Sequence, residues 1–345
     1  VSVYKLSNAG GSKSKTVYTS FLAGNPESVP NTLIAIGSGS TGQTGGIISY
    51  DNGSTWTQFN LPVASGANIQ ASGEYLGYGN GLWVYAPYQQ NNFYTSTNGT
   101  SWTSRTAPYT SFKSTFVFYT PSKAQWLIGT MYDSNRYAYS TDGVTWAGST
   151  VSNANVQLAG GFVNGNYMIM QHNDPNLNYG TTLGSSFSSN GSGSPSPYFG
   201  AAGVGAYNGT TLVFTGNYGS TNNLWYTTNG TSFTLGTMPT TGYWFGTQCY
   251  GFEAGTYVAS GGGTVGASST NGTSWTQRTH INIGNTEGLI TYGNNVGFAK
   301  VQYNAGTTSV FTTSPDGITW TSKTSPNIYA WTIQANQARN YAKGA

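Results

Sequence analysis

The chain has 345 residues, 49 of them Gly and 15% aromatic, yet only 6% are charged and the formal net charge is +3. So many aromatics beside so few charges exclude a disordered chain, and with no basic run they exclude a nucleic-acid surface. One cysteine (Cys249) and two histidines (His172 and His280) exclude a disulfide framework and argue against a zinc centre.

No apolar run approaches the roughly 18 residues of a membrane-spanning helix, so membrane insertion is not expected. The chain opens on Val1 with no initiator Met and no signal-peptide pattern. Val1 therefore reads as a processed end or the edge of a longer chain.

From the N-terminus onward one phrase recurs. It is "YDNGSTW" ending at Trp56, "STNGTSW" at Trp102, "STDGVTW" at Trp146 and "TTLGSSF" at Phe187. It returns as "TTNGTSF" ending at Phe233, "STNGTSW" at Trp275 and "SPDGITW" at Trp320. The intervals between closing aromatics are 46, 44, 41, 46, 42 and 45 residues, a period of about 44.

Within each period the expected elements follow in the same order. An aromatic-rich strand A leads to a turn, marked by Asn80-Gly81, Asn164-Gly165, Asn208-Gly209, Ala254-Gly255 and Asn294-Asn295. An apolar strand B follows, then a loop, strand C, the repeated phrase as a second turn, and strand D. Asn-Gly and Asp-Gly suit type I′ hairpins, which need positive φ at both central residues. The flanking Ser, Thr, Trp and Tyr suit strands. No segment has a helical pattern.

Four-stranded units of this length repeated radially are propeller blades. The fold predicted is an all-β, seven-bladed propeller with four antiparallel strands and one box turn per blade. It occupies residues 1–337 as a single domain, with 338–345 as a tail. The Gly/Ser/Pro stretch 184–197 reads as a long D-to-A connection. "NIYAWTIQANQ" (327 to 337) stands where another A strand is due and is expected to help close the ring.

The phrase resembles the Asp box, or BNR repeat, known from sialidases and many other propellers. "SYDNGSTW" (49 to 56) fits the longer form outright. The resemblance implies that the box is a structural turn between the outer strands, its Trp packed inside, on the face away from any active site. Asp51, Asp142 and Asp316 are therefore expected to form turns. Sialidase activity is not implied. That chemistry needs three converging arginines, an Arg-Ile-Pro motif and a Tyr/Glu pair. This chain has four arginines and no such motif; Arg105 and Arg278 share one periodic place with Lys323, three residues past a box Trp.

In a propeller the A–B and C–D turns share one face, and the B–C and D–A loops form the other. The expected B–C loops carry "YQQNN" (88 to 92), "MYDSNR" (131 to 136), "HNDPN" (172 to 176), "NYGSTNN" (217 to 223) and "QYN" (302 to 304). D–A loops add Tyr109, Tyr198, Tyr243, Trp244 and Tyr329. Flat aromatics beside amides suit sugars. The candidate ligand-binding residues are Tyr88, Tyr132, Asp133, Arg136, His172, Asp174, Tyr218, Tyr243, Trp244 and Tyr303.

Asp133 and Asp174 are the one carboxylate pair to consider for glycan hydrolysis, or for calcium together with Asn135 and Asn173. Solvated loop acids are the plainer reading, so no catalytic residue, metal or cofactor is expected. Gly261 to Gly263 lack the lysine of a phosphate loop. The Asn-Gly-Ser/Thr triplets at Asn52, Asn98, Asn190, Asn208, Asn229 and Asn271 match the glycosylation pattern as by-products of turns.

Composition and the resemblance to phage and bacterial BNR-type sequences point to a virion or extracellular surface protein, of the kind found in bacteriophage tails and fibres. Its expected partners are a host-surface glycan or receptor and other virion or extracellular structural proteins. The alternatives are a structural module without ligand, and a glycan hydrolase or lyase.

Overall fold

The computed structural model describes residues 32–39, 44–63, 75–130, 135–151, 157–171, 177–189, 203–218, 221–237, 245–253, 255–261, 264–281, 288–293, 297–304, 307–324 and 328–336. Seven antiparallel sheets follow one another along the chain, and each carries one copy of the repeated phrase. The fold is a seven-bladed β-propeller. Blade 2 shows the order most plainly: A at Leu76–Gly79, B at Leu82–Tyr85, C at Asn92–Ser96 and D at Thr103–Thr106.

Blade 1 joins the two ends of the chain. Its strands B, C and D are Leu33–Gly39, Thr44–Ser49 and Thr57–Asn60, while strand A is Ile328–Ala335. The closing strand runs antiparallel to Leu33–Gly39, with Leu33 opposite Ala335 and Ile36 opposite Thr332. Asn336 N–H donates to Thr32 O (2.9 Å), and Thr32 N–H to Asn336 Oδ1 (3.1 Å). The segment expected to close the ring does so.

Two blades carry a fifth strand on their inner edge. Tyr88–Gln90, expected as a B–C loop of blade 2, pairs antiparallel with strand A of blade 3 (Phe112–Thr120). Gly203–Val204 pairs parallel with strand A of blade 4 (Gln157–Val163). Both cover backbone groups that an open sheet edge leaves unpaired.

The core lies between blades, not inside one barrel. One apolar cluster joins Ile34 and Ile48 of blade 1 to Leu76 and Trp83 of blade 2. Another joins Val84 and Phe93 of blade 2 to Val117 and Trp126 of blade 3. Missing side chains let the blades approach: a Cβ on Gly129 or Gly160 would stand 2.1 or 2.4 Å from the ring of Phe116, which lies between them.

The box aromatics bridge these seams. Trp56 meets Phe311 of blade 7 (4.8 Å between centroids), Trp102 meets Phe59 of blade 1 (6.3 Å) and Trp146 meets Phe93 of blade 2 (5.0 Å). Phe187 reaches Tyr137 of blade 3 (5.5 Å). Phe233 and Trp275 stack on Phe214 and Tyr257 of their own blades. They also belong to clusters shared with the preceding blade, Phe233 with that of Phe162 and Val163 and Trp275 with that of Val213 and Leu224.

The turn chemistry differs from the sequence expectation at the boxes. Asn80-Gly81 (φ 50° and 74°) and Asn164-Gly165 (47° and 80°) do have two left-handed residues, as type I′ requires. In the short boxes only the glycine does, as at Gly99 (φ 80°) and Gly143 (φ 72°). The Asp or Asn is there for its side-chain oxygen. Both central residues are left-handed only in the longer first box, at Asn52 (φ 62°) and Gly53 (φ 76°). The A–B connection of blade 3, which has no Asn-Gly, turns through a 3-10 turn at Pro121–Lys123 and closes on left-handed Ala124 (φ 50°).

Candidate functional site

The two ends of the disc are built on different chemistry. On the box end, Asn98 Oδ1 accepts the N–H groups of Thr100 (3.0 Å) and Ser101 (2.8 Å). Ser96 Oγ donates to the same Oδ1 (3.0 Å) and accepts the Gly99 N–H (2.8 Å), while Trp102 Nε1 donates to Gly99 O (3.0 Å). The Ser and Asp/Asn part of this wiring recurs around Asp142, Asn271 and Asp316. The indole bond recurs at Trp146 and Trp275, whereas Trp320 Nε1 is buried without a partner among the described residues. The Ser and Asp/Asn wiring saturates the turn and leaves the acceptor oxygen no ligand to seek.

The box aspartates titrate accordingly. Hydrogen bonds from the Thr55 hydroxyl and N–H hold Asp51 down at about 2. For Asp142 the largest influence, desolvation, raises the pKa, but the N–H groups of Thr145 and Val144 outweigh it and the net shift is downward. Asp316 behaves in the same way through Thr319 and Ile318. A general acid at neutral pH needs the opposite shift, so these three carboxylates are turn acceptors, as expected.

On the opposite end the structure places two of the candidate residues fully. Arg136 opens strand C of blade 3 (Arg136–Ser140), half-buried, with its guanidinium carbon 4.7 Å above the ring centroid of Tyr109. Tyr88 is a correction to its expected role as a loop aromatic: it is only 6% exposed and packs with Tyr75, Tyr85 and Ile36. The fifth strand that carries it turns its ring into the seam between blades 1 and 2. Tyr218 and Tyr303 also differ from expectation. Both lie in strands, Leu212–Tyr218 and Gly297–Asn304, because these blades run B and C on to near-adjacent partners, Tyr218 opposite Thr221 and Asn304 opposite Thr307. Tyr132, Asp133, His172, Asp174, Tyr243 and Trp244 lie outside the described residues.

The described part of this end is a corner where blades 2 and 3 meet. Tyr109 stacks near-parallel to Phe112 (6.2 Å, 7°) and over Gly148, where a Cβ would stand 2.4 Å from its Cζ. Arg136 covers the ring from outside. A cation on an aromatic face contributes about 0.5–1 kcal/mol when exposed. Asn91 ties the neighbouring loop: its Oδ1 accepts Ser111 N–H (2.7 Å) and its O accepts Ala107 N–H (2.9 Å).

Gln89 and Asn91 of the preceding connection and Thr110 and Ser111, next to Tyr109 in the chain, are exposed amides and hydroxyls. Three non-glycine residues in left-handed conformation fall in the same connections: Gln89 (φ 57°), Ser111 (φ 53°) and Asn135 (φ 65°). Four others, Asn52, Asn80, Ala124 and Asn164, lie in turns of the opposite end, so positive φ does not distinguish the two ends. Tyr109 and Asn91 were visible in sequence only as members of loops. The signal that singles out Tyr109 is Gly148, which only the fold brings beneath it. Among the described residues no group of three His, Cys, Asp or Glu could hold a metal ion.

No family model matches the chain, and no curated protein matches it in sequence. Solved structures match its fold. One is a catalytically inactive virginiamycin B lyase from Staphylococcus aureus with quinupristin, with TM-score 0.59 and 14% identity, covering 74% of this chain and 85% of that one. A protein from Bacteroides uniformis, provisionally named a 6-phosphogluconolactonase, has TM-score 0.64 and 7% identity over 89% of this chain and 99% of that one. YCF48 bound to D1 peptide has TM-score 0.50 and 12% identity over 82% and 86%. At these identities the likeness shows the propeller fold alone.

Proposed function

We propose that this propeller is a non-enzymatic binding protein of a virion or extracellular surface, and that its B–C/D–A end holds a host-surface glycan or receptor. The box wiring, with its serine, Asp/Asn oxygen, left-handed glycine and tryptophan, supports assigning the repeats to the Asp-box class. The observation that carries the functional reading is the Arg136–Tyr109 pair. A guanidinium held over a ring, on connections that expose amides and hydroxyls, offers a sugar contact area and hydrogen bonds with few side-chain rotors left to order. Tyr132, Tyr243 and Trp244, on loops of the same end by sequence, extend the surface in this reading.

A shallow polar site of this kind binds one sugar unit at about millimolar strength, or about −4 kcal/mol. Useful adhesion then requires several copies on one particle. Arg136→Ala, Tyr132→Ala and Trp244→Ala should each weaken adsorption to host cells or to a glycan array while leaving the melting curve nearly unchanged. Normal adsorption by all three variants overturns the binding reading in favour of a structural module. The lyase among the fold neighbours keeps one rival in view. Release of cleaved glycan by the purified protein, abolished by Asp133→Asn or Asp174→Asn, would decide for the enzyme.

A further inference from the structure

Blades 6 and 7 meet differently from the rest. Five residues past the box aromatic, three other blades place an apolar side chain in their seam: Leu61 (6% exposed), Ala107 (7%) and Val151 (3%). Blade 6 places His280 there, 2% exposed. The site is homologous in backbone as well as in count. Ala107, Val151 and His280 each donate their N–H to a carbonyl just before strand C, at Asn91, Asn135 and Thr264.

Across the seam stands a second departure. Lys300 lies in strand B of blade 7, opposite Thr312, two residues before the box serine. By that register six blades have Ala35, Tyr85, Ile128, Met168, Phe214 and Ala259 at this place, all buried. Lys300 is 1% exposed. Two polar replacements of an apolar pattern thus face one another in one seam.

His280 is wedged tightly. Its ring lies over Gly266, where a Cβ would stand 2.1 Å from Nε2, and against Trp320 of blade 7 (5.0 Å between centroids). Neither ring nitrogen has a hydrogen-bond partner among the described residues. Burial, then the Lys300 charge, push its pKa down to about 3, and burial pushes Lys300 down to about 8. Of the described groups packed on His280, from strand C of blade 6 and from the box and strand B of blade 7, Lys300 is the charged one whose field reaches it.

We propose that the seam between blades 6 and 7 is an acid-sensitive latch: a neutral His280 fills it at neutral pH, and protonation beside Lys300 expels the imidazole and loosens the two blades. The sign follows from linkage. A base whose folded pKa lies below its unfolded value binds more protons unfolded, so its penalty is absent above the unfolded pKa and grows as pH falls. For His280 the loss begins near 6.5 and extends toward 3. The box carboxylates act below about pH 4, so between pH 6.5 and about 4 the loss from His280 is read apart from theirs.

The chain contains only two histidines, which makes the test clean. Urea unfolding of the wild type between pH 6.5 and 5 should show the unfolding constant rising roughly 15-fold, as one strongly shifted histidine dictates. His280→Leu should abolish that rise, and His172→Gln should keep it. If His280→Leu does not fold, His280→Gln serves in its place. Over the same window hydrogen-exchange protection, corrected for the intrinsic pH dependence of amide exchange, should fall in residues 276–281 and 297–304 but not in blade 2. A rise that persists in the His280 variants, one that His172→Gln removes, or protection lost equally in all blades, overturns the latch.

Discussion

The two ends of the disc use the same residue types to opposite purposes. On the box end, as at Ser96–Trp102, Asn or Asp, Ser and Trp form a local circuit in which donors meet acceptors a few residues away. Trp320, against His280, is the exception among the described boxes. On the other end Asn91, Ser111, Tyr109 and Arg136 come from separate connections and are held by long-range contacts. Repetition therefore marks the end that builds, and irregularity the end proposed to hold a ligand. A charged or polar side chain gains meaning from where it breaks the repeat, as Arg136 and His280 do, and loses it where it keeps the repeat.

The largest test of that contrast removes a box aromatic. Trp275 is 5% exposed and packs on Tyr257 (6.1 Å), and its indole N–H donates to Gly272 O (3.2 Å). Trp275→Ala should cost about 3–5 kcal/mol, as deletion of a buried ring does, measured by urea denaturation. Binding per folded molecule should not change. The half-buried Trp146 should cost less than Trp275 when truncated. An equal loss on truncating Tyr109 would erase the distinction between the ends.

This division was partly legible in the sequence. The period, the seven blades, the closing strand and the structural role of Asp51, Asp142 and Asp316 all follow from local spacing, because a turn and its wiring lie within seven residues. What depends on distant parts was not legible. Tyr88 reads as an exposed loop ring, but only the pairing of its segment with Phe112 and Lys113 shows that it turns inward. Tyr218 and Tyr303 read as loop residues because Asn, Gly and Ser around them are turn formers, yet the strands run through. The box Asp and Asn were expected at positive φ from the Asn-Gly rule; a six-residue turn lets the glycine alone take that role. The Lys300 and His280 pair is visible as two deviations from the period, but their meeting is a fact of the seam.

A smaller effect is expected from the box serine. Ser96 is 3% exposed, and its Oγ accepts the buried Gly99 N–H at 2.8 Å while donating to Asn98 Oδ1. Ser96→Ala leaves that N–H without a partner, for which the cost is about 1–3 kcal/mol. Ser111→Ala on the other end keeps its backbone bond to Asn91 and should stay within about 0.5 kcal/mol. Paired denaturation midpoints for the two serines test whether the contrast resides in hydrogen bonding as well as in rings.

The smallest effect separates the shape of the box from its charge. Asp142 Oδ1 accepts Val144 N–H (2.8 Å) and Thr145 N–H (2.7 Å), and Asn98, Asn229 and Asn271 make the same two bonds from an amide oxygen. Asp142→Asn should therefore change stability at pH 7 by no more than about 0.5 kcal/mol and leave adsorption intact. The carboxylate still leaves a trace at acid pH. Its folded pKa lies below the usual 3.8, so its contribution is present above that value and is lost as pH falls through the folded value. Asn has nothing to titrate, so the wild-type and variant stability curves should run together down to about pH 4 and the wild type should fall faster below it. Adsorption lost in Asp142→Asn with its fold intact would mean that a box also contacts ligand, and the division between building end and binding end would have to be abandoned.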